Sequence, residues 1–178
     1  MNEKILDLGC GNHKIPESVG VDFVKIPGVD IVHNLNKFPY PFRDNTFDVI
    51  YANQVLEHLE PSLDKILKEL CRICKPEGVI KILVPHALSV GGFSDPTHKK
   101  FFTYFTFDYF GSNEQSYYTK SRVKILKREL IYASGKKSSK LLKPLGQLIN
   151  KFPEIYSHFF AFMFPASTIY FELKPIKE

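Results

Sequence analysis

An apolar run ending in two closely spaced glycines, Ile5-Leu6-Asp7-Leu8-Gly9-Cys10-Gly11-Asn12, followed by a carboxylate eleven residues beyond Gly11 at Asp22, limits this chain more than any other feature. Lys4 to Gly9 reads as a short buried strand at which the fold starts directly, with no helix ahead of it. Glycines placed straight after a strand let the backbone approach a ligand closely. Val19 to Phe23 (VGVDF) reads as the second strand, and an acid near its end can accept both hydroxyls of a ribose. The pairing points to a nucleoside. A dinucleotide fingerprint needs a third glycine three residues after the second and an acid roughly 20 residues on. Lys14 occupies that glycine's position and Asp22 comes too early, which makes a dehydrogenase the weakest of the readings considered.

The following segments extend the same architecture. A turn at Pro27-Gly28 leads to a third short strand around Asp30 to Val32, and a loop with two prolines spans Asn36 to Asn45. Phe47 to Ala52 (FDVIYA) is the fourth strand. Leu63, Ile66, Leu67, Leu70, Ile73 and Cys74 recur at spacings of three and four, predicting an amphipathic helix ended by Pro76 and Gly78. Val79 to Val84 (VIKILV) is the next strand. This order predicts a largely parallel sheet with ligands beyond the C-terminal strand ends.

Several segments together resemble the class I S-adenosylmethionine-dependent methyltransferases, in the small "methyltransferase type 11"-like group whose domain opens on the pattern hydrophobic-D-L-G-C-G. His33-Asn34-Leu35 with Phe38-Pro39-Tyr40-Pro41-Phe42 looks like that family's segment after strand three. Phe47-Asp48 with Val55-Leu56-Glu57-His58-Leu59 looks like its fourth strand and turn. Arg72 to Gly78 resembles its R-x-L-K-P-x-G lead into strand five, and Asp95-Pro96-Thr97-His98 is similar to a segment of some members. The likeness runs in order over residues 4 to 110. It implies that Asp7, Gly9 and Gly11 cradle the methionine end of S-adenosylmethionine, that Asp22 binds the ribose, and that Asn34 and Leu35 meet the adenine. Asn53 or Gln54 would approach the methionine amino group. Two departures stand out: the helix usual between strands one and two has no room, and Asn34 stands where an aspartate is common. An asparagine can still accept through its amide oxygen.

Each of these residues also has a plainer reading. Gly9 and Gly11 could form an ordinary strand-to-loop turn, and Asp7 could satisfy backbone amides. His58 could be a loop or helix-cap residue. His98 is the first candidate for a general base and His58 the second, on location beyond the strands. No metal is expected. Cys71-x-x-Cys74 lacks a second cysteine or histidine pair, Cys74 falls on the helix's apolar stripe, and zinc needs four ligands. His86, Asp95 and His98 read as a hydrogen-bonded loop rather than a metal site.

The second half changes character. Nine aromatics lie in residues 101 to 118, among them Phe101, Phe110, Tyr117 and Tyr118, and they read as core or as the apolar surround of a transferred methyl. Arg122 to Ala133 alternates like a strand, Leu141 to Asn150 suggests a short helix interrupted by Pro144, Phe159 to Phe164 reads as a compact apolar knot, and Thr168 to Leu173 is a last strand. The chain of 178 residues carries a net +5, yet Lys120 to Lys143 holds nine Lys or Arg against Glu129 alone, leaving the remainder at −3. This stretch and its sequel, 136 to 164, admit a solvated face, an anionic-substrate or nucleic-acid face, or a peripheral membrane contact through Phe159, Phe160, Phe162 and Phe164. Nucleic acid is disfavoured as substrate, because Asn53-Gln54-Val55-Leu56 lacks the N-P-P-[FY] that base-methylating enzymes place after strand four.

Three cysteines, no secretory signal and no 18-residue apolar run set a cytoplasmic expectation. The expected fold is a single α/β domain over 1–178: a Rossmann-like, three-layer αβα arrangement on a mostly parallel sheet of about seven strands, one C-terminal strand antiparallel. Residues 1–110 form the cofactor platform, and 111–178 the acceptor side with a C-terminal hairpin. Methyl transfer to a small-molecule acceptor is the expected function. The alternative of another class is a non-catalytic nucleoside-binding module that holds a partner through its basic, aromatic second half. Oligomeric state is not encoded in any of these signals.

Overall fold

The computed structural model describes residues 3–111, 119, 122–132 and 138–177, and over 138–143 the backbone alone. Seven strands, β1 (Ile5–Leu8), β2 (Val19–Asp22), β3 (Ile31–Val32), β4 (Phe47–Asn53), β5 (Cys74–Pro85), β6 (Val123–Ile131) and β7 (Thr168–Pro175), make one sheet in the order β3-β2-β1-β4-β5-β7-β6. The first five pair in parallel, and β7 runs antiparallel to both β5 and β6. The antiparallel strand is therefore β7, with β6 pointing the same way as β5. The order reverses between β1 and β4, which puts a crevice at the C-terminal ends of those strands.

Burial follows the pleat. Leu6 and Leu8 of β1 are fully enclosed, while Ile169, Phe171 and Leu173 alternate with half-buried neighbours along β7. Helix α1 (Leu63–Ile73) begins where the Ser62 side chain accepts from Lys65 N–H and buries Ile66, Leu67, Leu70 and Ile73. It ends earlier than the sequence pattern predicts. Cys74 is not on the helix but opens β5 opposite Phe47, and the backbone N–H groups of Asn45 and Thr46 bond the carbonyls of Arg72 and Ile73. Pro76 sits inside β5 where the register with β4 shifts between Phe47 and Val49, the kind of irregularity that tolerates a missing donor.

Three further differences separate structure from expectation. Helix α2 (Val90–Ser94) was not foreseen, and α3 (Ser138–Lys151) runs through Pro144 instead of being interrupted there. A proline removes one intrahelical bond; the helix is held from outside by Asn150, which donates to Leu130 O at 2.7 Å and accepts from Leu130 N–H at 2.8 Å, covering the free edge of β6. Third, Phe159 to Phe164 is no compact knot. A short π-helix, Tyr156–Phe160, and the turn after it leave Phe159 74% and Phe162 86% exposed. Phe102, Phe107 and Phe110 are core, whereas Phe101 and Tyr109 are exposed. Tyr117, Tyr118, Lys120, Ala133, Lys136 and Lys137 lie outside the described residues. In the described part of the basic stretch, Arg128 turns to Asp108 at 2.8 Å and Lys127 pairs with Glu129, so it is not a uniform solvated face. No helix of the described residues is long and apolar enough to cross a membrane.

None of the first three crossovers, β1 to β2, β2 to β3 and β3 to β4, contains a helix among the described residues. Side chains anchor the loops instead. Arg72 of α1 donates to Glu69 (2.6 and 2.9 Å), to Asp44 Oδ1 (2.6 Å) and to the carbonyls of Phe42 and Tyr40. Buried Glu69 in turn accepts Tyr40 N–H, and the Tyr40 hydroxyl donates to Leu35 O. The loop from Leu35 to Asp44 is thereby clamped to a helix. Arg72→Met keeps the stem but strands the buried Glu69 carboxylate, and should lower unfolding free energy by roughly 2–3 kcal/mol. The denaturant midpoint reads this out, and an unchanged midpoint would contradict the clamp.

Candidate active site

The crevice at the switch point is a cavity of about 640 Å³, within the range of small-molecule sites. Gly9, Asp22, Phe23, Asn34, Leu35, Gln54, Val55, His58 and Leu59 contribute to its lining from the ends of β1, β2, β3 and β4, and Pro96, Thr97 and Lys99 close it from the segment after β5. Five of the eight expected cofactor-binding residues thus share one cavity: Gly9, Asp22, Asn34, Leu35 and Gln54. Asp7, Gly11 and Asn53 stand beside it without lining it.

The glycine loop is built by backbone geometry. Gly9 and Gly11 have φ of +66° and +48°, and Gly9 and Cys10 both donate N–H to Val21 O. A Cβ on Gly9 would stand 2.5 Å from Val55 Cγ2, so the loop lies against the cavity's apolar wall with no room for a side chain. At Gly11 the space is open. Asp22 fixes the loop from the other side: Oδ2 accepts Gly11 N–H at 3.0 Å and Oδ1 accepts Phe23 N–H at 2.7 Å. Oδ1 also accepts Val24 N–H at 3.3 Å, so it is Oδ2, with one donor, that keeps acceptor capacity for a ligand hydroxyl.

The remaining expected residues divide by task. Asp7 Oδ2 accepts Ile15 N–H at 2.8 Å and closes the glycine loop; burial pushes its carboxyl above the usual range. Asn34 Oδ1 accepts Asn36 N–H at 2.9 Å in a local turn, which uses part of the acceptor capacity expected for adenine. Gln54 takes the left-handed conformation, φ +52°, as its N–H bonds Leu83 O. Cys71 is half-buried and Cys74 buried, and burial pushes their thiols up to about 12 and about 11. Buried His86 accepts Leu88 N–H and is held below its usual pKa by burial.

His58 lines the cavity and His98 stands behind it, their ring centroids 4.7 Å apart. Burial, then the proximity of His98, holds His58 below the usual histidine pKa. Glu57 beside them is fully buried, and neither carboxylate oxygen has a hydrogen-bond partner; burial pushes its pKa up to about 7. No role was expected for Glu57. The sequence signal that could have found it is the adjacency Glu57-His58 after a strand end, with a further histidine beyond the next strand.

Sequence similarity to known proteins falls over this same half, and structural similarity over nearly the whole chain. The model of a methyltransferase-domain family matches residues 2–103. A sterol 4-C-methyltransferase of Caenorhabditis elegans is 33% identical over 99 residues, covering 43% of this chain and 29% of the relative. A sterol 24-C-methyltransferase of Schizosaccharomyces pombe is 31% identical over 102 residues, covering 44% and 27%. The chain thus spans under a third of the length of these curated relatives. Among solved structures, a SAM-dependent methyltransferase from Archaeoglobus fulgidus superposes with TM-score 0.62 at 22% identity over 97% of this chain and 86% of that one. One from Mesorhizobium loti gives 0.60 at 12% identity over 97% and 91%. These two show the fold.

The glycine positions yield a paired expectation. Gly9→Ala and Gly11→Ala each incur a left-handed strain of about 1–2 kcal/mol, but only Gly9→Ala collides with Val55. Thermal melts should rank Gly9→Ala as the more damaging, and adding Val55→Ala should restore part of that loss while leaving Gly11→Ala unimproved. Equal losses without rescue would contradict the close approach.

Proposed function

The chain belongs to the class I S-adenosylmethionine-dependent methyltransferases, and from that premise we propose that it transfers the cofactor's methyl group to a small-molecule acceptor with an apolar body. The observation that carries this reading is the cavity at the switch point, where the glycine loop, the Asp22 carboxylate and the Asn34-Leu35 turn converge.

The residues present fit S-adenosylmethionine. Asp22 offers an acceptor oxygen for a ribose while holding Gly11; exposed Phe23 at the rim supplies an aromatic face, and Asn34 and Leu35 provide a polar edge and an apolar floor for adenine. Gln54 and the backbone of Gly9 flank the space for the methionine moiety. Bound there, S-adenosylmethionine supplies a methyl group already activated on a positively charged sulfur. The chain's own work is then to hold a nucleophile in line with that methyl, exclude water, and handle the proton a hydroxyl or ammonium acceptor must lose. Val55 and Leu59 give the apolar wall. His58, His98 and Glu57 are the side chains grouped where such a proton would be handled.

The acceptor side is read from the second half. β6 ends at Ile131, whose carbonyl accepts Ser167 N–H, and Ser167 O accepts His86 N–H just past β5, so the segment before β7 hangs on the ligand edge of the sheet. An apolar groove there, of about 530 Å³, is lined by Leu148, Phe152, Tyr156, Phe160 and Phe164 among others. An apolar acceptor suits it, and two relatives named as sterol methyltransferases support that class.

S-adenosylmethionine and its demethylated product should each raise the melting temperature and NAD should not, since ligand at 100 times its Kd adds about 2.7 kcal/mol. Asp22→Ala should remove this increment when each variant is compared with its own ligand-free melt; no increment in the native chain at millimolar ligand contradicts the reading. Methyl transfer from labelled cofactor into an organic-solvent extract separates an enzyme from a binding module. Incorporation into apolar material, lost in Phe160→Asp, supports the acceptor assignment. Cofactor binding with no incorporation favours the module, and loss of vesicle co-sedimentation in Phe160→Asp without any change in turnover assigns the groove to a membrane surface instead.

A further inference from the structure

We propose that Glu57, His58 and His98 form a binding site for a divalent first-row transition metal ion at the wall of the cofactor cavity. One ligand atom from each of the three lies within 4.8 Å of the others. The set, two imidazoles and one carboxylate, is a donor combination suited to zinc, iron or manganese and leaves coordination positions open.

Hydrogen bonding fixes the tautomers that ligation requires. Thr97 Oγ1 donates its proton to Asp95 Oδ1 at 2.6 Å, so toward His58 Nδ1, 2.8 Å away, it can only accept. His58 therefore carries its proton on Nδ1 and presents a bare Nε2. His98 Nδ1 faces the Gly92 carbonyl at 3.0 Å, which accepts a proton and offers none, and its Nε2 is bare by the same reasoning. Asp95 Oδ2 stands 3.8 Å from that nitrogen, too far for a hydrogen bond, and adds negative charge beside the site. Orientation of each ring by an outer Nδ1–H partner is how metal-binding histidines are held.

Glu57 supplies the independent observation. Its side chain is wholly buried, and neither oxygen has a partner. A buried carboxylate without donors is costly, and a cation between it and two imidazole lone pairs satisfies all three groups together. The frame that holds it is rigid, because Lys99 and Lys100 N–H both bond Glu57 O and tie the loop bearing His98 to the turn bearing Glu57 and His58. Three atoms no more than 4.8 Å apart share a point within about 2.8 Å of each, so closure by at most roughly 0.6–0.8 Å per ligand reaches ordinary metal–ligand distances of about 2.0–2.2 Å.

His58 also lines the cofactor cavity, so an open coordination position at this ion faces the bound substrates. There the ion would hold an acceptor oxygen and lower the energy of its deprotonated form. This use rests on the methyltransferase reading; the binding itself does not.

The test uses the full chain stripped of metal, titrated calorimetrically with Zn²⁺ and Mn²⁺, with Mg²⁺ for comparison, and with Co²⁺ followed by its visible absorption. One equivalent of Zn²⁺ or Mn²⁺ should bind and raise the melting temperature. Glu57→Gln, isosteric and uncharged, and His98→Ala should each weaken binding by 100-fold or more and change the Co²⁺ spectrum. Thr97→Val, which leaves all three ligands but frees the His58 ring, should weaken it by about 10- to 100-fold. Cys71→Ser with Cys74→Ser should leave it unchanged. Absence of a stoichiometric site in the native chain, or affinity indifferent to both Glu57→Gln and His98→Ala, overturns the proposal; if Glu57→Gln fails to fold, His98→Ala and Thr97→Val decide. The S-adenosylmethionine melt of the metal-free chain is read separately, so failure of the metal site and failure of the methyltransferase reading give different results.

Discussion

The Asp22 carboxylate holds the glycine loop and lines the switch-point cavity at once, and the geometry of that half depends on both. In folds of this kind a helix beginning under the glycine loop ordinarily presents its N-terminus to the ligand. Here no helix separates β1 from β2. The loop is positioned instead by Asp22 accepting Gly11 N–H, by Val21 O accepting from Gly9 and Cys10, and by Asp7 accepting from Ile15. Hydrogen bonds to a charged acceptor are stronger than neutral ones, so one carboxylate can replace part of what a helix supplies while keeping a lone pair for a ribose. The acid proposed to bind the ribose also preorganises the loop beside it.

The same economy governs the opposite wall. The turn after β4 and the segment after β5 belong to neighbouring strands, and two backbone bonds to Glu57 O join them. Joining them brings His58 and His98 into contact and seals the Glu57 side chain inside. An uncompensated carboxylate in that position opposes folding. A carboxylate without donors beside two histidines is accounted for by the metal site proposed above and not by packing, since a leucine would fill the same space without penalty.

Most of the parallel half was legible in the residues. Ile5 to Leu8, Val19 to Asp22 and Phe47 to Asn53 are short, mostly apolar runs, each carrying one aspartate (Asp7, Asp22, Asp48), as befits parallel strands largely covered by the rest of the fold, and the 3–4 periodicity of α1 marks one buried face. Asp22 and Gly9 were legible because both the glycine freedom and the acid's place at a strand end follow from local sequence. What the residues did not reveal are contacts set by register. The end of α1 at Ile73 depends on hydrogen bonds from Asn45 and Thr46, far away in sequence. The isolation of Glu57 depends on which loop folds over it, and the role of Asp7 on where Ile15 returns.

The second half was less legible for a physical reason that bears on function. Composition alone allowed the aromatics to be mostly core, and the core does take Phe102, Phe107, Phe110 and Phe171. Yet Phe159, Phe160, Phe162, Met163 and Phe164 stay at the surface, consecutive or nearly so, in the π-helical turn Tyr156–Phe160 and the turn after it, with the period of neither an α-helix nor a strand. Local pattern can place apolar residues inside only where it has a period that points them there. A run without one is placed by what it meets, and five large apolar side chains held out on the ligand edge by Ser167, which bonds both β6 and the end of β5, are better explained by an apolar occupant than by the fold.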